Sequence, residues 1–124
     1  MEDHLLETEK LAAGFGDDLG YGFFLKLAAL FHDVGKSSDL WQEYLWNSVR
    51  GKRQIKMDHA TAGAQILQKY AGENPDRSTI IGLTAIQSVI MFHHGSGLPD
   101  FIAPDGCSEF LNRLKKQDKH IDLD

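Results

Sequence analysis

The chain has one cysteine, Cys107, so no disulfide within it can brace the fold. A reducing compartment, in the simplest case the cytoplasm, is the expected setting. No apolar run approaches the ~20 residues that a membrane-spanning helix needs. The start, MEDHLLETEK, is acidic where a signal peptide is basic and then apolar. Positive charge is not in excess: the formal net charge is −5, which argues against coating nucleic acid through bulk charge and leaves a local site open. Internal repeats and low-complexity segments are absent, and the alternation that marks strands is weak. There is no Walker-type phosphate loop, so any ATP-driven step belongs to another segment or chain.

What is present is helical patterning on an ordinary globular composition, 42% apolar and 25% charged over 124 residues, enough for a single domain spanning 1–124. His4, Thr8, Leu11 and Phe15 fall on one helical face, and Gly14 and Gly16 are expected to end that helix. From Tyr21 to Asp33 the chain is apolar nearly all round, which predicts a central buried helix with Gly35 as its C-terminal cap. Ser37 or Ser38 can cap a third helix whose apolar face is Leu40, Trp41, Tyr44 and Leu45. Asp58 is a candidate N-cap for a helix carrying His59, Gly63, Ile66, Leu67 and Tyr70, closed by Gly72. Pro75 and Asp76 introduce a long helix to about His94, with Leu83, Ile86, Ile90 and His93 on one stripe. A last short helix near 108–116 turns Phe110, Leu111 and Leu114 inward, and the polar tail from about 117 is expected to fray. The fold class is therefore all-α, an irregular bundle of five or six helices.

Five of the six histidines sit at or near helix termini beside apolar residues: His4, His32, His59, His93 and His94. Burying five imidazoles without partners would cost roughly 1–3 kcal/mol each. A shared cation removes that cost by taking the ring lone pairs. Neutral imidazole suits Zn, Fe, Ni, Co and Mn, and a carboxylate such as Asp33 can bridge two ions. His32 and Asp33 also lie at a helix C-terminus, where the dipole favours a cation.

The stretches HLLETEKLA, LAALFHDVGK, LWQEYL, DHATAGAQIL and FHHGSGLPD, in this order and spacing, resemble the HD superfamily of metal-dependent phosphohydrolases. Within it they are most similar to the HD nuclease domain of the CRISPR-associated helicase–nuclease of type I interference systems. The resemblance covers about residues 3–101. It implies an HD-like helical fold and two divalent ions (Mn, Co, Ni, Fe, Mg or Zn). One ion would be held by His4, His32 and Asp33, and the second by His59, His93 and His94, with Asp33 bridging. Lys36 would neutralise charge on a phosphate or hydrogen-bond the attacking water. The activity implied is hydrolysis of single-stranded DNA, alongside a helicase segment or chain and the CRISPR interference complex. The family's further aspartate, on a later helix, finds only Asp100 and the tail residues Asp118, Asp122 and Asp124 as counterparts here. The site around His4 is therefore expected to hold its ion less tightly.

Substrate contacts are expected outside the ion cluster. RGKRQIK gathers Arg50, Lys52, Arg53 and Lys56 just before His59 and could bind phosphates. Trp41, Trp46 or Phe101 could stack on bases. The sequence leaves two rival readings: an HD enzyme acting on nucleotides or cyclic dinucleotides, and an inactive helical module that only docks a partner. Metal content separates the second from both enzymes, and a substrate panel separates the enzymes from each other.

Overall fold

The structure, a computed structural model, describes residues 1–116 apart from Ile55, Ser96, Pro99 and Asp100. The expected frayed tail, and with it Asp118, Asp122 and Asp124, lies outside the described residues, as does Asp100. Among the described residues there are six α-helices and no strand: α1 (Glu2–Asp17), α2 (Gly22–Phe31), α3 (Asp39–Val49), α4 (Ala60–Ala71), α5 (Arg77–Phe92) and α6 (Glu109–Leu114). A short 3-10 turn, Val34–Ser37, links α2 to α3. The all-α expectation holds. No helix among the described residues is long and apolar enough to cross a membrane.

The core forms where α2, α4 and α5 meet. Ala28, Ala64, Ile86, Ile90, Met91, Phe92 and Phe110 are buried together, with Leu27, Phe31, Leu67 and Leu114 packed around them. Small residues make the closeness possible. Ala60, Thr61, Ala62, Gly63 and Ala64 are all buried, so the first turn of α4 is enclosed by its neighbours nearly all round. A Cβ on Gly63 would run into the carbonyl oxygen of Phe31, at the end of α2. Gln87 is buried within α5 and donates across to the Ala64 carbonyl (3.0 Å) and the Gln68 side chain (3.0 Å), tying α5 to α4.

Serine and aspartate set most of the helix starts. The side chains of Ser38, Asp76 and Ser108 accept from the amides of Trp41, Thr79 and Leu111, each satisfying a donor that the first turn leaves free. Gly72 closes α4 with φ +79°.

The structure revises several expectations. α1 continues through Gly14 and Gly16 to Asp17, because Gly16 backs directly onto Gly22 and lets α1 lie along α2. Its expected inner residues Leu11 and Phe15 are exposed, Phe15 by 76%. α2 is shorter than 21–33 and only half central: Phe23, Phe24 and Leu25 are exposed, and His32 and Asp33 follow the helix instead of ending it. Gly35 caps nothing. It lies inside the 3-10 turn, where a Cβ would collide with the His59 carbonyl oxygen. No residue of α3 is buried, and Leu111 of α6 is exposed. His59, not Asp58, is the residue flanking α4, yet Asp58 does the capping: its Oδ1 accepts from the amides of Ala60 (3.1 Å) and Thr61 (3.2 Å).

Candidate metal centre

Helix ends deliver the ionisable groups. α1 brings His4 from its first turn, the end of α2 brings His32 and Asp33, the start of α4 brings His59, and the end of α5 brings His93 and His94. The bundle closes these ends around one carboxylate, that of Asp33, whose side chain is only 6% exposed. Its two oxygens face different groups. Oδ2 looks toward His32 Nε2 (3.1 Å) and His4 Nε2 (3.5 Å). Oδ1 looks toward His59 Nε2 (3.4 Å) and His93 Nε2 (3.6 Å). His94 Nε2 adjoins His59 Nε2 at 3.0 Å. The six residues fall into two donor sets sharing Asp33, namely His4–His32–Asp33 and Asp33–His59–His93–His94, within each of which the donor atoms lie within 4.8 Å of one another.

The backbone fixes the tautomer and ring face of two histidines. Nδ1 of His32 sits 2.6 Å from the Ala29 carbonyl oxygen, and Nδ1 of His93 sits 2.6 Å from the Ile90 carbonyl oxygen. A carbonyl only accepts, so Nδ1 carries the hydrogen in both rings. Nε2 then presents its lone pair to the centre. These carbonyls come from the last turns of α2 and α5, where helix carbonyls lack intrahelical donors. Asp33 Oδ1 and His93 Nε2 are buried and find no hydrogen-bond partner among the described residues. Orphaned acceptors converging on one point, from a donor set of imidazoles and one carboxylate, fit a divalent cation.

The surroundings tune these groups in the same direction. Burial alone would raise the pKa of Asp33; the hydrogen bond from Lys36 and the charges of His32, Lys36 and His59 bring it below the usual carboxylate range. His59 is pushed down to about 4, first by burial, then by Lys36, with Asp33 opposing and the other two histidines adding to the fall. His94 is lowered as well, first by burial and then by His93 and Lys36. Ligation needs neutral imidazoles and an ionised carboxylate, and these shifts favour both.

A pH dependence follows. An unfolded histidine takes up its proton near pH 6.5, and folded His59 takes it up near 4. Between those values the unfolded chain binds the extra proton, so folding stability rises with pH there and is lost as pH falls. The metal-free protein should lose up to about 3 kcal/mol from this residue between pH 6.5 and 4. Asp33, with its pKa depressed, adds its own loss only at lower pH. Urea midpoints at pH 7, 5.5 and 4.5 measure it; a His59→Gln chain with the same pH slope as wild type would disprove the assignment to His59.

Lys36, half-buried, donates to Asp33 Oδ2 at 2.7 Å, on the side of His4 and His32. The basic segment is divided. Lys56 lines a cavity of about 580 Å³ beside His59 and His94, whereas Arg50 and Lys52 line a separate depression with Glu43, Trp46 and Asn47. Arg53 is exposed. Of the three candidate stacking residues, Trp41 lines the cavity, Trp46 lies in the other depression, and Phe101 packs on Phe110 with ring centroids 5.2 Å apart.

Sequence reasoning misses Arg113. From α6 its Nη2 grips both oxygens of Asp58 (3.0 and 3.1 Å), its Nε reaches Thr61 Oγ1 (3.2 Å), and its guanidinium lies over the Phe92 ring at 4.7 Å. It thereby clamps the residue before His59 to the residue before His93. Asp58 stands out as a cap, but nothing in the local pattern ties it to an arginine 55 positions away.

A family model described as HD domain matches residues 1–122. No curated protein and no solved structure matches the chain.

Proposed function

The chain belongs to the HD domain family, whose members are in general metal-dependent phosphohydrolases, and from that premise we propose that it hydrolyses phosphodiester bonds of single-stranded DNA. The observation that carries the reading is Asp33, a buried carboxylate with one oxygen toward each histidine set. His4 and His32 with Asp33 would hold one divalent ion, and His59, His93 and His94 with Asp33 a second. Bound there, such ions supply Lewis-acid activation of water and of a phosphoryl oxygen. The protein's own part is positional. The Ala29 and Ile90 carbonyls fix the faces of His32 and His93, and Asp33 couples the two sets. Lys36 stands where its ammonium can donate to a phosphate oxygen as negative charge builds on it. Lys56 extends the positive potential along the cavity wall.

Single-stranded DNA is favoured over duplex because Asp33, His32, His59 and His93 are recessed between helix ends, and a lone backbone can follow the surface down to them. The wider setting we infer is the nuclease part of CRISPR type I interference, working with a helicase segment or chain and the interference complex. DHATAGAQIL and FHHGSGLPD, which carry His59, His93 and His94, support that branch of the superfamily. The test is cleavage of end-labelled strands by protein reloaded with Mn, Co or Ni. Single strands should be cut faster than duplex, chelator should stop cutting, and Lys36→Met should slow it about 100-fold with the metal content unchanged. Metal-loaded protein that leaves every strand intact would overturn the nuclease reading, and hydrolysis confined to mononucleotides or cyclic dinucleotides would move it to small nucleotides.

A further inference from the structure

α3 presents an oddity: an aromatic helix without a core. None of its residues is buried, yet Trp41 and Tyr44 pack against one another at a tilt of 37° with ring centroids 5.1 Å apart, and the Trp41 and His59 ring centroids lie 4.4 Å apart. Both aromatics line the cavity of about 580 Å³, together with Met57, Met91, Lys56 and His94. α3 is also tied to the Asp33–Lys36 turn. Ser38 Oγ accepts from the Trp41 amide (3.2 Å) and donates to the Gly35 carbonyl (2.9 Å), while Gln42 Nε2 donates to the Lys36 carbonyl (2.6 Å). The aromatic wall is thus fixed in position relative to the carboxylate.

We propose that this cavity is a nucleobase subsite, with Trp41 as its stacking wall, the two methionines as its soft floor and Lys56 as the anchor for the adjoining phosphate. The proposal deepens the phosphodiester reading and rests on it for the placement of the scissile group. The chemistry fits a flat, apolar-faced ring joined to an anion. Aromatic and thioether surfaces accept any base face. The one carboxylate on the wall, Asp58, is already gripped by Arg113 and so repels the phosphate less. A base can reach Trp41 only when unstacked and unpaired, which gives a physical origin for a single-strand preference. The same chemistry occurs in a free nucleotide and in a strand, and the two are separable by experiment.

The experiment reads binding without turnover. Metal-free chain carrying Trp46→Phe leaves Trp41 as its sole tryptophan. It is titrated at neutral pH with single-stranded hexathymidylate, the same hexamer with every base removed, thymidine monophosphate and inorganic phosphate. The hexamer should change Trp41 emission and bind at least about tenfold more tightly than the abasic strand. Trp41→Leu, followed by a labelled hexamer, should erase that difference, and Trp41→Phe should keep most of it. Monophosphate binding as tight as the hexamer's assigns the subsite to free nucleotides; much weaker binding assigns it to strands. Equal affinity for intact and abasic strands, an unresponsive Trp41, or no binding of any probe overturns the proposal. The emission readout needs no substitution at Trp41, so a misfolded Leu variant does not spare it. Cleavage without a base effect overturns the subsite alone, and a base effect without cleavage overturns the catalytic reading alone.

Discussion

Replacing Asp33 with alanine should empty both candidate metal sites at once and slow the proposed phosphodiester cleavage by at least about 1000-fold, the several kcal/mol that Lewis-acid activation supplies. The breadth of the effect comes from geometry. Each histidine belongs to one set, but Asp33 belongs to both, Oδ2 facing His4 and His32 and Oδ1 facing His59 and His93. His94→Ala should therefore lower the metal count of one set only, and Asp33→Ala of both. Asp33 lies outside the apolar cluster, so the metal-free variant should keep its helix content. Asp33→Asn keeps the size and removes the charge, and it should lose both ions as well. Elemental analysis of reloaded protein, run beside cleavage of a labelled strand, gives both readouts. An Asp33→Ala sample that still carries two ions per chain would show that the two donor sets do not depend on this carboxylate.

Residue types and helix ends make the candidate site legible in the sequence. His4, His32, Asp33, His59, His93 and His94 all stand out there, and the fold brings their donor atoms together in two sets, the division that the family resemblance, not the residue pattern, implies. Helix existence is equally readable, because caps such as Ser38, Asp76 and Ser108 act locally. What stays hidden depends on tertiary packing. Periodicity says that Leu11 and Phe15 share a face, not whether anything covers it, and nothing among the described residues buries them. Gly16 and Gly35 read as helix stops because glycine often is one. Here each instead marks a point where two backbones touch, Gly16 with Gly22 and Gly35 with His59. Arg113 and Asp58 meet across 55 positions, and a pairing of that kind leaves no periodic trace. The basic segment resembles one phosphate-binding unit because its charges are close in sequence. The structure splits it at the end of α3, with Lys56 beside the histidines and Arg50 and Lys52 in another depression.

Gly35→Ala should destabilise the fold by about 1–3 kcal/mol and weaken the second metal site selectively. Gly35 is buried, and an added Cβ would overlap the His59 carbonyl oxygen and lie 2.9 Å from its carbon. Backbone cannot rotate aside as a side chain can, so the 3-10 turn and the start of α4 must separate. That motion draws His59 away from Asp33 Oδ1, which it faces at 3.4 Å in the native fold. It disturbs the distances among His4, His32 and Asp33 less, because α1 and the two residues directly after α2 carry that set without help from α4. A displacement near 1 Å is enough to cost on the order of 100-fold where geometry must be exact to within tenths of an ångström. The wild-type chain should fill its four-donor set first, since the other has three donors and His4 is 57% exposed. In Gly35→Ala that order should narrow or reverse. Gly14→Ala is the matched control: its added Cβ meets nothing within 4 Å, so α1 should gain roughly 0.5–1 kcal/mol with both sites unchanged. Two-site calorimetric titration with Mn and urea midpoints on the same samples decide it. Unaltered affinities in a folded Gly35→Ala chain would mean that the approach of Gly35 to His59 does not set the spacing of the centre.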